Sequence, residues 1–120
     1  MSNHSFVHIE ISAVNTQAAA QFYAALFGWQ MNADAMPGMD YVTFEAKPGP
    51  GGGITPIDGQ MYKAGDIVPY VSTDDIDATL ATVAKLGGKT LLPKSEIPHV
   101  GWFAFFADPS GNRIGLFTSL

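Results

Sequence analysis

His8 and Glu10 are the side chains in this sequence best equipped to do chemistry. They stand two residues apart in an alternating segment, so an extended strand puts both on one side, roughly 6.6 Å apart along the chain. An imidazole changes charge near neutral pH, and a carboxylate beside it can orient it or trade a proton with it, which is the equipment of general acid–base catalysis. Glu45, on a later alternating segment, has the parity of the same face and is the third catalytic candidate. Other chemistries are closed to the chain. With no Cys it has no thiolate nucleophile, thiolate metal site or disulfide. No Ser, His and Asp stand in a nucleophile-elbow context. Gly51, Gly52 and Gly53 do not follow a strand-to-helix turn and lack the Lys-Ser/Thr of a phosphate loop, so they read as a turn leading into a strand. His99 follows Pro98 in a loop, where it would at most flank a cavity mouth, and His4 lies near the terminus.

The composition that must carry these groups fits one compact domain. The 120 residues are 47% hydrophobic and 14% charged, a balance that excludes disorder, and a domain of this length buries about two-thirds of its surface. No apolar run approaches the ~20 residues of a membrane span. The start, Met1 to Ser5, lacks the basic and apolar regions of a signal peptide, so a cytoplasmic protein is expected. Eleven acidic against six basic residues give a net charge of −5 with no basic cluster. Neither nucleic acid nor a membrane is therefore an expected partner.

Sliding the chain against itself by 60 residues lines up Ile11-Ser12 with Val71-Ser72, Leu26 with Leu86, Gly28 with Gly88, Gly51 with Gly111 and Ile54 with Ile114. Each half reads as strand, helix, turn and further strands. In the first half a strand over Phe6 to Ser12 precedes a helix capped by Asn15 or Thr16 and ended by Gly28; its stripe of Ala18, Phe22, Ala25, Leu26 and Trp29 is expected to face the core. Strands over 29–33, 41–46 and around Ile54 follow. In the second half Ile67, Pro69 and Val71 repeat the first strand. Asp74 or Asp75 caps a helix carrying Ile76, Leu80, Val83 and Leu86, which Gly87-Gly88 ends. A short strand covers 89–92, a loop 96–100, and strands over 101–107 and 113–118 complete the half. The expected layout is a module over 5–55, a Pro- and Gly-rich linker over 56–65 and a module over 66–120, together one α+β domain.

Two tandem βαβββ modules in this length resemble the vicinal oxygen chelate superfamily, the group of glyoxalases, bleomycin-resistance proteins and extradiol dioxygenases. The resemblance is carried by Val7-His8-Ile9-Glu10, Gln21-Phe22-Tyr23, Leu26-Phe27-Gly28-Trp29 and Asp108-Pro109-Ser110-Gly111-Asn112-Arg113-Ile114. It implies mixed sheets curling around a cavity with the two helices outside. It also implies a homodimer, which the 12% aromatic content suits. In metal-using members four ligands come from the first and last strand of each module. Those positions fall on His8, Thr55, Val68 and Gly115; only His8 matches, and a single imidazole does not hold a divalent ion. No cofactor is expected, a divalent metal being the alternative.

With Val7, Ile9, Ile11, Val42, Phe44, Phe103 and Phe105 assigned to the helix side, the opposite face carries, beside Ser12, Thr43, Glu45, Thr55, Val68, Ser72, Ala104 and Gly115, the seven residues His8, Glu10, Tyr41, Tyr70, Trp102, Phe106 and Phe117. An aromatic wall with a few polar groups suits a small molecule. These seven are the expected ligand contacts, with core packing as the competing reading for each aromatic. A ligand is expected to touch both halves with its polar end near His8. The expected function is binding of a small apolar or aromatic molecule without a tightly held metal, as in the superfamily's sequestering members. The alternative is a metal-dependent lyase, isomerase or dioxygenase worked by His8, Glu10 and Glu45.

Overall fold

The computed structural model describes residues 3–120. In chain order its elements are β1 (Phe6–Ala13), α1 (Thr16–Phe27), β2 (Gln30–Asn32), β3 (Val42–Glu45), β4 (Gly52–Pro56), β5 (Ile67–Ser72), α2 (Ile76–Lys85), β6 (Lys89–Ile97), β7 (Gly101–Ala107) and β8 (Arg113–Ser119). The fold is α+β, as the patterning predicts. No helix among the described residues is long and apolar enough to cross a membrane. The chain groups into a first unit, His8–Ile67, and a second unit, Val68–Leu120 together with residues 3–7.

In the first unit the strands lie in the order β2-β3-β4-β1. β1 and β4 run parallel with Ile11 opposite Ile54, and β3 is antiparallel to both β4 and β2. In the second unit the order is β5-β8-β7-β6, with β5 parallel to β8 and β7 antiparallel to β8 and β6. The predicted repeat of strand, helix and three strands is therefore present. The helix caps repeat too: Asn15 accepts from Ala18 N at 2.9 Å, and Asp75, sixty residues on, accepts from Ala78 N at 3.0 Å. Burial over residues 11–20 matches burial over 71–80 position for position. The offset then grows. Ile54 pairs with Ile11 and Val42, while Leu116 pairs with Val71 and Ala104, so the last strands correspond at 62 residues. Gly53 thus matches Gly115, Tyr41 matches Phe103, and the expected match of Ile54 with Ile114 is corrected.

Two expected faces are also corrected. On α1 the residues turned to the core are Thr16, Ala19, Ala20 and Tyr23, packed with Ile11, Ala13, Val42, Phe44 and Ile54. Phe22 and Leu26 are 59% and 57% exposed, and of the expected stripe only Trp29 joins the core. α1 contains no charged residue, so no polar stripe marks its outer side. In the second unit Ile76 and Leu80 of α2 pack with Val71, Ala104 and Leu116, and with Trp102 and Phe106. The even positions of β7 therefore face α2, not Phe103 and Phe105. A strand apolar on both sides offers no period to read. Leu86 caps α2 and is exposed rather than part of its core stripe. β6 continues to Ile97 where a loop was expected; register shifts between Thr90 and Ser95 accommodate Pro93, which has no N–H to give the ladder.

Candidate functional site

β1 and the start of β3 build the site of the first unit. With Ile11 and Ala13 turned to the core, alternation on β1 sends His8, Glu10 and Ser12 to the other face. Val42 is likewise in the core, so Tyr41 beside it arrives on that same face. The Tyr41 ring needs room to cross the sheet, and Gly53, the register partner of both Glu10 and Thr43, leaves it. A Cβ at position 53 would lie 2.0 Å from the Tyr41 hydroxyl oxygen. Seated there, Tyr41 donates its hydroxyl proton to Glu10 Oε2 at 2.7 Å. His8 Nε2 lies 2.7 Å from the same oxygen, and its N–H tautomer donates to it. The imidazole and phenol planes are within 8° of parallel.

The surroundings shift two of these groups. Burial pushes the His8 imidazole below its ordinary value of 6.5, against the opposing pull of the Glu10 charge. Burial, followed by the charge and hydrogen bond of Glu10, pushes the Tyr41 hydroxyl far above its ordinary value, so it stays a donor. The result is a chain of hydrogen bonds from imidazole through phenol to a carboxylate that is only 5% exposed. Ser12 continues this face with a buried hydroxyl that has no hydrogen-bond partner among the described residues, and its register partner Thr55 is buried as well. An orphaned buried hydroxyl marks a place where a polar group from outside the chain would be satisfied. A cleft of about 650 Å³, lined among others by Gln17, Asp34, Met36, Met39 and Asp40, shares Tyr41 with the hydrogen-bonded chain. Thr16 on α1 donates to Asp40 and ties the segment before Tyr41 to the helix start.

Of the residues singled out in the sequence, the structure joins His8, Glu10 and Tyr41. Glu45 is not with them: it is exposed, pairs with Lys47 at 3.2 Å, and stands four residues along β3 from Tyr41, a run of roughly 13 Å. Tyr70 and Phe117 belong to the second unit, on the sheet face away from α2. The Tyr70 ring covers Gly115 and meets Phe105 at 5.7 Å; Phe117 is the register partner of Phe103. Trp102 and Phe106 lie on the opposite face, against α2, with Lys94 Nζ 4.9 Å from the Trp102 ring centre. His99 sits in an exposed turn. The sequence reading missed Gly53, although three successive glycines entering a strand are a signal that something crosses close by. It placed Ser12 on the right face without giving its hydroxyl a role, and it missed the cleft, which no local pattern announces.

The family model of the glyoxalase-like domain matches residues 8–117. The chain belongs to the glyoxalase-like family. A glyoxylase-like domain-containing protein of Didymella fabae is 37% identical over 119 residues, covering 92% of this chain and 90% of that protein. The anthracycline biosynthesis protein DnrV of Streptomyces peucetius is 28% identical over 122 residues, covering 85% of this chain and 42% of DnrV, so the chain spans less than half of that relative. A glyoxalase/bleomycin resistance protein/dioxygenase superfamily member from Vibrio splendidus shares the fold, with a TM-score of 0.67 at 12% identity over 98% of this chain and 100% of the other.

The donor set of this glyoxalase-like chain does not fit the divalent metal that its superfamily uses. His8 Nε2 is engaged by Tyr41. Val68 is an apolar side chain at 2% exposure, and Gly115 has no side chain and lies under the Tyr70 ring. The register also shows that Thr55 and Gly115 are not equivalent positions, since Thr55 corresponds to Phe117. Among the described residues no three His, Asp or Glu side chains stand together as a metal site.

Proposed function

We propose that this glyoxalase-like protein binds a small, largely apolar or aromatic molecule against the first unit, without a bound metal, and anchors it by hydrogen bonds. The His8–Tyr41–Glu10 chain carries this reading. Holding a carboxylate, a phenol and a neutral imidazole together below the surface costs desolvation, which is offset where those groups also orient a ligand. Tyr41 joins this chain to the cleft, whose volume suits a drug-sized molecule. The name of DnrV, anthracycline biosynthesis protein, supports a polycyclic aromatic ligand. Six of the eleven acidic residues lie in the first unit against two lysines, which favours a ligand that carries a positive charge. Daunorubicin, a cationic and fluorescent anthracycline, is the probe of choice. Saturable quenching of its fluorescence, weakened about tenfold or more by Tyr41→Phe and by His8→Ala, is the expected result, since one lost hydrogen bond to a ligand is worth about that factor. Binding that neither substitution changes would defeat the placement, and absence of saturable binding together with no ligand retained in native mass spectrometry would defeat the function.

The same chain of donors supports a second reading, proton transfer on a bound carbonyl compound. A proton arriving at the imidazole displaces the Nε2 proton to Tyr41, and Tyr41 passes its own to Glu10. Deuterium from solvent entering the α-carbon of an aryl ketone such as acetophenone, and no longer doing so in Glu10→Gln, would establish it.

A further inference from the structure

We infer that the face carrying the His8–Tyr41–Glu10 chain has a second polar end at Ser12 and Thr55, roofed by Tyr62 of the linker loop. This end takes a hydroxyl- or carbonyl-bearing group of the same small molecule, a reading that rests on the ligand site proposed above. Ser12 and Thr55 are register partners on β1 and β4, one alternation beyond Glu10 and Gly53 on the same face. Thr55 is buried, and the buried Ser12 hydroxyl oxygen has no hydrogen-bond partner among the described residues. His8, Tyr41 and Glu10 on the same face satisfy one another, so the unmet hydroxyl beside them points to a partner from outside the chain. Along the strand Ser12 stands roughly 6.6 Å from Glu10 and roughly 13 Å from His8, so one elongated molecule reaches both ends.

The residues after β4 fold back on themselves rather than trail as a linker. Ile57 N donates to the Ala13 carbonyl oxygen at 3.0 Å, which starts the loop level with the end of β1, next to Ser12. Asp58 N and Gly59 N both donate to the Tyr62 carbonyl oxygen, at 3.0 and 3.1 Å. The Asp58 carboxylate in turn accepts from Gln60 N at 2.8 Å and from Tyr62 N at 2.9 Å. Tyr62 is thereby pinned beside the start of the loop. Residues 58–60 and 63–65 are exposed, but Met61 and Tyr62 between them are half-buried, so the tip turns these two inward. Tyr41 gives the direction: behind burial and Glu10, the Tyr62 phenol is a further cause that raises the Tyr41 hydroxyl, so the two phenols are neighbours. The Tyr41 hydroxyl lies over Gly53 and the loop starts level with Ala13; Ser12 and Thr55 occupy this face between those points. A ring that bridges them shields Ser12 from water and gives a ligand ring a flat apolar wall.

Daunorubicin, which carries carbonyl and hydroxyl groups along its fused rings, is again the probe. Ser12→Ala is expected to weaken its binding about tenfold, the worth of one hydrogen bond. The same variant without ligand is expected to unfold at the temperature of the unaltered protein or higher, because it no longer buries an unsatisfied hydroxyl. A merely structural Ser12 would lower both readouts together. Tyr62→Ala is expected to weaken binding about tenfold, whereas Tyr62→Phe, which keeps the ring, weakens it less. Asp58→Ala frees Tyr62 and moves the affinity toward that of Tyr62→Ala; Asp58→Asn keeps the accepting oxygen and the affinity. Unchanged binding by Ser12→Ala or by Tyr62→Ala overturns the second end, and Tyr41→Phe measured beside them shows whether the first end stands without it. No saturable binding by the unaltered protein overturns both.

Discussion

The two units use one backbone plan for opposite purposes on the sheet face turned away from the helix. At corresponding positions the first unit has His8, Glu10, Tyr41 and Gly53, and the second has Val68, Tyr70, Phe103 and Gly115. In both, a tyrosine ring is seated over a strand glycine, but the tyrosine immediately precedes β3 in one and lies within β5 in the other. In the first unit the ring ends in a hydrogen-bonded chain; in the second it packs against Phe105, which Phe103 meets edge-on at 5.6 Å. The helix sides differ in a complementary manner. The first core sets small Thr16 and Ala20 of α1 against Val42 and Phe44, and the second sets the larger Ile76 and Leu80 of α2 against the smaller Ala104 in the place of Val42, with Phe106 in that of Phe44. A βαβββ frame therefore fixes where side chains point, and leaves open whether they fill space or do chemistry.

The comparison breaks most visibly at Phe105 and its counterpart Thr43. Phe105 is 1% exposed and in contact with Tyr70 and Phe103, so Phe105→Ala is expected to cost about 3–5 kcal/mol. Thr43→Ala, at the same place in the first unit, is expected to cost less than about 1 kcal/mol, because its hydroxyl makes one long contact, 3.5 Å from the Asn32 carbonyl oxygen. Chemical denaturation of the two variants measures both, and equal costs would show that the first unit relies on this face for stability as much as the second does.

Next in size are the changes that empty the polar chain. Tyr41→Phe installs the ring that the second unit carries at Phe103, but it withdraws the donor from Glu10 and is expected to cost about 1–3 kcal/mol. Gly53→Ala should reach the same end by another route, since the new Cβ and the Tyr41 hydroxyl cannot share the space. If the chain is the purpose of the seat, adding Gly53→Ala to Tyr41→Phe costs less than the sum of the two alone. Strict additivity would show that Gly53 serves some other contact, such as close pairing with β1.

The element order and the repeat were legible because strand alternation, helix caps and Gly stops are local signals. The errors came where the local signal is silent. On α1 nearly every position is apolar or small, and on β7 every position is, so counting apolar residues pointed the wrong side inward. The repeat would have corrected both. Ile76, Leu80 and Val83, rightly assigned to the inner side of α2, fall sixty residues from Thr16, Ala20 and Tyr23, the true inner side of α1. An even offset likewise carries the parity of Val42 and Phe44 onto Ala104 and Phe106. In the site, His8 and Glu10 could be paired from strand spacing alone. Tyr41 as the bridge between them could not, because it depends on the register of β3 against β4 and on a missing Cβ on that neighbouring strand.

The smallest expected effect is the pH dependence carried by His8, a group that the second unit lacks at this place, where Val68 stands. Burial lowers the His8 imidazole below 6.5 and the Glu10 charge opposes it, so the net shift is the difference of two influences. A folded-state value below the unfolded one means that the unfolded chain binds the proton more readily. Stability from this group is therefore complete above pH 6.5 and declines as the pH falls through 6.5 toward the lower folded-state value, below which the loss levels off. His8→Val, which copies the second unit, is expected to remove this part of the acid limb in denaturation curves measured from pH 8 to pH 5. Glu10→Gln takes away the opposing pull, so the imidazole resonances should titrate at still lower pH in that variant. An imidazole midpoint at or above 6.5 in the unaltered protein would mean that Glu10 outweighs burial, and only a midpoint above the working pH would have His8 meet a ligand as a cation rather than as a neutral donor.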